Sequence, residues 1–226
     1  MSRFLNWGKK KLVAAALKLA PSIEPSLQVR DWVRAGCQMP APWTVKMQVL
    51  ERYMIPGAAW IETGTYLGET TAFLAERAPR VLSLEPDLTL YLGAVTRFSH
   101  SNNINILNKT SEDGLSEAFD FIQSRKICLW LDGHYSGGST FAGPEDTPIL
   151  HEIGFISDKI KDGSLDEVAV FIDDVRLFAS RHKEVPGAPD RGGYPPLVAI
   201  VGWAEEIGLD WLVEHDIFIA RTRPSL

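Results

Sequence analysis

The run Ala59-Trp60-Ile61-Glu62-Thr63-Gly64-Thr65-Tyr66-Leu67-Gly68-Glu69-Thr70-Thr71 constrains this chain more than any other. It starts apolar enough for a buried strand, ends that strand on an acid, and turns on Gly64 and Gly68. It then enters a helical pattern through Phe73 and Leu74. A strand that turns on glycines into a helix lets backbone approach a ligand that a Cβ would block. The helix start adds unpaired N–H groups. The spacing here is Glu-x-Gly-x-x-x-Gly. It is neither the Gly-x-Gly-x-x-Gly of a dinucleotide fold nor a phosphate loop, because no Gly-Lys-Ser/Thr follows. Glu62 at the strand end would repel a pyrophosphate and attract an ammonium group, so the turn suits a ligand with an amino-acid end.

A second acid follows. Val81-Leu82-Ser83-Leu84-Glu85-Pro86-Asp87 reads as a strand that ends on Glu85, 23 residues after Glu62. An acid near this distance accepts hydrogen bonds from ribose hydroxyls. The two acids and the glycine turn resemble motif I, and the strand after it, of the class I S-adenosylmethionine-dependent methyltransferases. The resemblance implies a cofactor site built from Glu62, Thr63, Gly64, Thr65, Gly68 and Glu85. It also implies that the junction before residue 112 meets the adenine ring, which brings in Ser111 and Glu112. The plainer reading makes Glu62 and Glu85 ordinary strand-end acids and Ser111 a helix N-cap.

Strands alternate with helices from Trp60 onward. The pattern predicts strands near 59–64, 80–85, 104–108, 127–132 and 167–173. Helices are expected near 44–55, 68–78, 88–99, 112–124, 147–161 and 196–207. Such alternation builds an α/β fold, a Rossmann-like, mostly parallel sheet with helices on both faces. Residues 210–214 and 217–221 are apolar runs with only two residues between them, too few for a crossover, so they pair antiparallel at the C-terminus. We expect residues 44–226 to form this domain. Residues 1–43 form an N-terminal extension: a basic amphipathic helix with Leu5, Leu12, Ala16 and Leu19 on one face, then a proline-rich connector with a short helical piece near Asp31-Trp32-Val33. The apolar run after Lys9-Lys10-Lys11 is interrupted by Lys18 and is too short to span a bilayer. The helix packs on the domain, pairs subunits in a homodimer, or touches a membrane surface, and packing is the favoured role. Trp43 and Lys46 precede the glycine turn and could fold over the cofactor; a core Trp and a surface Lys are the favoured readings.

Two more strands deliver acids. Ile127-Cys128-Leu129-Trp130-Leu131 leads to Asp132, and Val168-Ala169-Val170-Phe171-Ile172 leads to Asp173-Asp174. Ligands of open parallel sheets bind beyond the carboxyl ends of the strands. If these strands are neighbours, three carboxylates converge beside the glycine turn and repel one another. A hard divalent cation, Mg²⁺ foremost, would resolve the repulsion and acidify a substrate hydroxyl. His134, two residues beyond Asp132, is a candidate base. Asp132, Asp173-Asp174 and a base at 134 resemble the metal-dependent O-methyltransferases of the macrocin O-methyltransferase type. That resemblance covers residues 59 to 176. It implies that Asp132, Asp173 and Asp174 ligate the metal, that Asp132 also borders the cofactor and acts with His134 in catalysis, and that the acceptor is a hydroxyl of a sugar or related small molecule. The family often has an acid where this chain has His134.

Composition narrows the setting. A net charge of −6 disfavours broad nucleic-acid binding. Cys37 and Cys128 make neither a disulfide framework nor a zinc site, which fits a cytoplasmic protein, and Cys128 lies in a core strand. The glycine-rich stretch 133–146 and the basic stretch 181–196 are candidate substrate loops, with Thr147-Pro148 as the cap and start of the helix after the first. A metal-independent methyltransferase and a non-catalytic binding protein are the alternative readings.

Overall fold

The central strands are apolar on both faces, and their residues sort strictly by position. The computed structural model describes residues 25–133, 147–178 and 194–223. In β1 (Ala59–Thr63), β4 (Lys126–Leu131) and β5 (Glu167–Ile172), the odd residues of β1 and β4 and the even residues of β5 enter one core. Trp60, Cys128, Trp130, Ala169 and Phe171 enter the other. This is the two-residue period of a strand buried on both sides.

Helices cover both layers. α5 (Ser111–Ile122), α6 (Ile149–Lys161) and α7 (Leu197–Glu206) bring Leu115, Ala118, Ile153, Ile156 and Ile200 to the first core. α2 (Trp43–Tyr53) and α3 (Glu69–Ala75) bring Met47, Val49, Leu50 and Leu74 to the second. Each such side chain gains roughly 1.5–3 kcal/mol from burial, so three of them fix α2 firmly across the sheet. α1 (Pro25–Arg34) packs on α2, and α4 (Leu88–Arg97) packs beside β3 (Ile104–Leu107).

With β2 (Val81–Leu84), β6 (Asp210–Glu214) and β7 (Ile217–Arg221), the sheet has seven strands in the order β3-β2-β1-β4-β5-β7-β6. The first five are parallel. β7 runs antiparallel to both β5 and β6. The expected Rossmann-like sheet and its closing antiparallel pair are therefore present. The order reverses between β1 and β4, so the carboxyl ends of those strands flank the crevice where such sheets bind ligands.

Some boundaries differ from the sequence reading. α1 extends over ten residues rather than a short piece. The N-cap of α5 is Thr110, whose Oγ1 accepts from the Asp113 amide at 3.4 Å, and Ser111 is the first helical residue. α6 starts at Ile149, so Pro148 precedes the helix, and Thr147 Oγ1 accepts from the Ile149 amide at 3.4 Å. The N-terminal amphipathic helix, His134 and most of both candidate substrate loops lie outside the described residues. No helix among the described residues is long and apolar enough to cross a membrane.

Candidate functional site

Glu62, the last but one residue of β1, lies on the face covered by α2 and α3 and is fully buried. Its Oε2 accepts from Thr71 Oγ1 of α3 at 2.5 Å and from Ser83 Oγ of β2 at 2.6 Å. Its Oε1 is buried with no hydrogen-bond partner. Burial pushes the Glu62 carboxyl up to about 8, against the two hydroxyl donors, and the charges of Asp132 and Glu85 add to the rise. A buried carboxyl oxygen without a donor is costly, and an ammonium group is the partner it would gain most from.

The turn itself is built differently from the expectation. Gly64 has φ +93°, and a Cβ there would meet the Asp132 carbonyl oxygen at 2.6 Å. Gly68 has φ +82°, and a Cβ would strike the Phe98 ring at 2.8 Å. Both glycines are thus required by the protein's own packing. The turn's N–H groups are also largely spent. Gly64 and Thr65 donate to the Leu84 carbonyl, Gly68 donates to the Thr65 carbonyl, and Tyr66 donates to Glu85 Oε2 at 2.8 Å. Thr65 is buried, its hydroxyl 2.6 Å from Ser83 Oγ.

Glu85 directly follows β2 and clasps the same turn. Its second oxygen accepts from the Asp87 amide at 3.0 Å. Burial raises its carboxyl above the usual range, opposed by those two amides. Each oxygen keeps a lone pair for a further donor. Ser111 is buried at the start of α5, and Glu112 beside it is exposed.

The register places the remaining acids together. Leu131 pairs with Ile172, so the next residues, Asp132 and Asp173, leave the sheet side by side. Their amides donate to the Thr63 and Leu131 carbonyls, each at 3.1 Å. The cation that meets them is a side chain. Lys46, from the first turn of α2, places its Nζ 2.6 Å from both Asp173 oxygens and 3.2 Å from Asp174 Oδ1. The Lys46 and Asp173 side chains are only 12% and 6% exposed. Asp174 holds a left-handed φ of 56° and also meets Arg176 Nη1 at 2.5 Å. Arg176 in turn pairs with the buried Asp216. Burial opposes charge on Lys46, but Asp173 and Asp174 win and raise its pKa. Burial raises Asp173 as well, to about 7, with Asp132 and Asp174 adding and Lys46 opposing. Removing one member of a buried ion pair strands the other at a cost of about 3–5 kcal/mol.

This corrects two expectations. Lys46 is not a surface lysine, and Trp43 is not a core tryptophan: it is exposed, with Nε1 3.4 Å from Thr70 Oγ1. The expected metal set also meets a different arrangement. Both Asp173 oxygens already carry an ammonium, and Asp174 is shared by Lys46 and Arg176. No group of three or more His, Cys, Asp or Glu among the described residues is placed to hold a metal ion. The donor set does not fit magnesium.

One acid escaped the sequence reading. Glu152 of α6 is 1% exposed, and its Oε1 has no hydrogen-bond partner. Burial pushes it up to about 7, against the nearby Ser111 and Thr63 hydroxyls. It lines a cavity of about 10 Å³ with Gly133, Thr147, Asp173 and Tyr194, on the opposite side of β4 from Glu62. Its signal in the sequence was an acid on the apolar stripe Ile149, Glu152, Ile153, Ile156.

No protein-family model matches the chain, and no curated protein matches it. Solved structures do. A protein assigned as an rRNA methylase from Clostridium thermocellum has a TM-score of 0.49 and 10% identity, over 79% of this chain and 94% of that one. A SAM-dependent methyltransferase from Anabaena variabilis has a TM-score of 0.47 and 14% identity, over 79% and 82%. Fibrillarin of Aeropyrum pernix, with natively bound S-adenosyl-L-methionine, has a TM-score of 0.46 and 13% identity, over 79% and 73%. At such identities and TM-scores these likenesses carry no argument about what this chain does.

Proposed function

We propose that the chain is an S-adenosylmethionine-dependent methyltransferase that methylates a hydroxyl oxygen of a small acceptor, a sugar or a related molecule. The observation that carries the reading is the unpartnered Oε1 of Glu62, buried at the end of β1 beside the switch point of the sheet. When bound, the cofactor supplies an electrophilic methyl group on a sulfonium. Glu62 takes its ammonium end, and Glu85 accepts from ribose hydroxyls with the lone pairs left over from Tyr66 and Asp87. Thr63, Gly64, Thr65 and Gly68 shape the wall of the site. Ser111 and Glu112, at the start of α5, border the adenine.

On the acceptor side, Asp132 stands at the carboxyl end of β4 with His134 two residues on. One of them takes the hydroxyl proton as the oxygen is methylated. The chain's main contribution is position, with Glu62 taking up negative charge as the cationic donor binds. The net charge of −6 supports a neutral or cationic small acceptor over a polyphosphate. Magnesium has no step in this reading, because Lys46 is seated on Asp173.

The test is release of S-adenosylhomocysteine with a panel of glycosides, phenols and an rRNA fragment as acceptors. Turnover on a hydroxylated small molecule supports the reading. Turnover on RNA alone overturns the acceptor, and cofactor binding without turnover favours a non-catalytic binding protein.

A further inference from the structure

Converging carboxylates at strand ends need a cation. The sequence suggests a metal, but the fold supplies two side-chain cations instead. Lys46 reaches Asp173 across 127 positions of chain, and its ammonium contacts both Asp173 oxygens and one of Asp174. Arg176 takes the other side of Asp174 and ties it to Asp216. Lys46 is not a solvated side chain that drifted to an acid. It sits on the stripe Lys46, Val49, Leu50, Tyr53 of α2, and its neighbours on that stripe anchor the helix in the core. An ammonium fixed in this way cannot step aside for an ion without leaving its own charge buried.

We propose that the Lys46 ammonium is the built-in cation of this acidic centre, holding Asp173 and Asp174 in place of a divalent metal ion. Lys46 is a positioning residue: it fixes the carboxylates beside Asp132 and keeps the acceptor side free of a Lewis acid. The inference deepens the methyltransferase reading by making the reaction metal-independent. The charge arrangement itself holds whether or not methyl transfer occurs.

The test is Mn²⁺ binding, followed by electron paramagnetic resonance, to the full chain and to Lys46→Gln. The wild type is expected to leave Mn²⁺ free up to millimolar concentration, and a chelator is expected not to change its affinity for S-adenosylhomocysteine. Lys46→Gln vacates a site lined by Asp173 and Asp174, so Mn²⁺ affinity is expected to rise at least 100-fold and to be lost again in Lys46→Gln/Asp173→Asn. Lys46→Arg, which keeps the charge, is expected to bind Mn²⁺ no better than wild type. Two results overturn the proposal: micromolar Mn²⁺ binding by the wild type that Asp173→Asn abolishes, or a folded Lys46→Gln that gains no affinity. Should Lys46→Gln not fold, the wild-type titration alone decides. Because the readout is metal binding, failure here is distinct from failure of methyl transfer.

Discussion

Glu62 should make cofactor binding depend on pH in a calculable way. Its carboxyl is pushed up to about 8, so at pH 7 about 90% of the unliganded protein carries a proton there. A ligand ammonium placed at the unpartnered Oε1 favours the ionised form, and binding must expel that proton. At pH 7 the expected release is about 0.9 proton per ligand bound. The ionised fraction rises from about 0.01 at pH 6 to about 0.09 at pH 7, so affinity should improve about ninefold over that unit. Glu62→Gln keeps the shape but removes the titration. Its affinity should fall by about tenfold at pH 7, the scale of one charged hydrogen bond, and should no longer vary between pH 6 and 7. Calorimetric titration of S-adenosylhomocysteine in two buffers of different ionisation enthalpy reads the proton count directly. No proton release, with equal affinity at pH 6 and 7, would refute the reasoning, as would a Glu62→Gln variant that binds like wild type.

Two further substitutions test the packing around the strand ends. Glu152 has a folded-state pKa of about 7 against an ordinary 4.5, so the native state holds its proton where the unfolded chain has lost it. Its contribution to stability is fully present below pH 4.5 and lost as pH rises toward 7, by about 3 kcal/mol at most. Glu152→Gln should therefore raise the Tm at pH 8 and leave it nearly unchanged at pH 4, as read by thermal melts; an equal effect at both would sink the assignment. Gly64→Ala forces a Cβ onto the Asp132 carbonyl at 2.6 Å and a left-handed φ onto alanine. It should cost about 1–3 kcal/mol in urea unfolding even without ligand, whereas a purely ligand-cradling glycine would show a loss of binding at unchanged stability.

The sheet was legible because it follows from local periodicity. Trp60 and Ile61, Cys128 and Leu129, and Phe171 and Ile172 each split between the two cores as a two-residue period requires. The two-residue gap between β6 and β7 forced an antiparallel pair. The glycine turn was legible as a turn, but its purpose was not: the contacts of Gly64 with Asp132 and of Gly68 with Phe98 depend on packing between distant segments. Ser111 and Thr110 are both good caps, and sequence alone does not choose between adjacent hydroxyls. Lys46 reads as a surface residue because charge is normally solvated, and its partner lies 127 residues away. Its place on an apolar helical stripe was the available clue, as it was for Glu152.

The central claim is that this crevice holds S-adenosylmethionine, and titration of S-adenosylhomocysteine into the folded wild-type protein tests it most directly. Saturable one-site binding is expected, stronger at pH 7 than at pH 6 and unaffected by a chelator. No binding by protein whose circular dichroism shows it folded would contradict it.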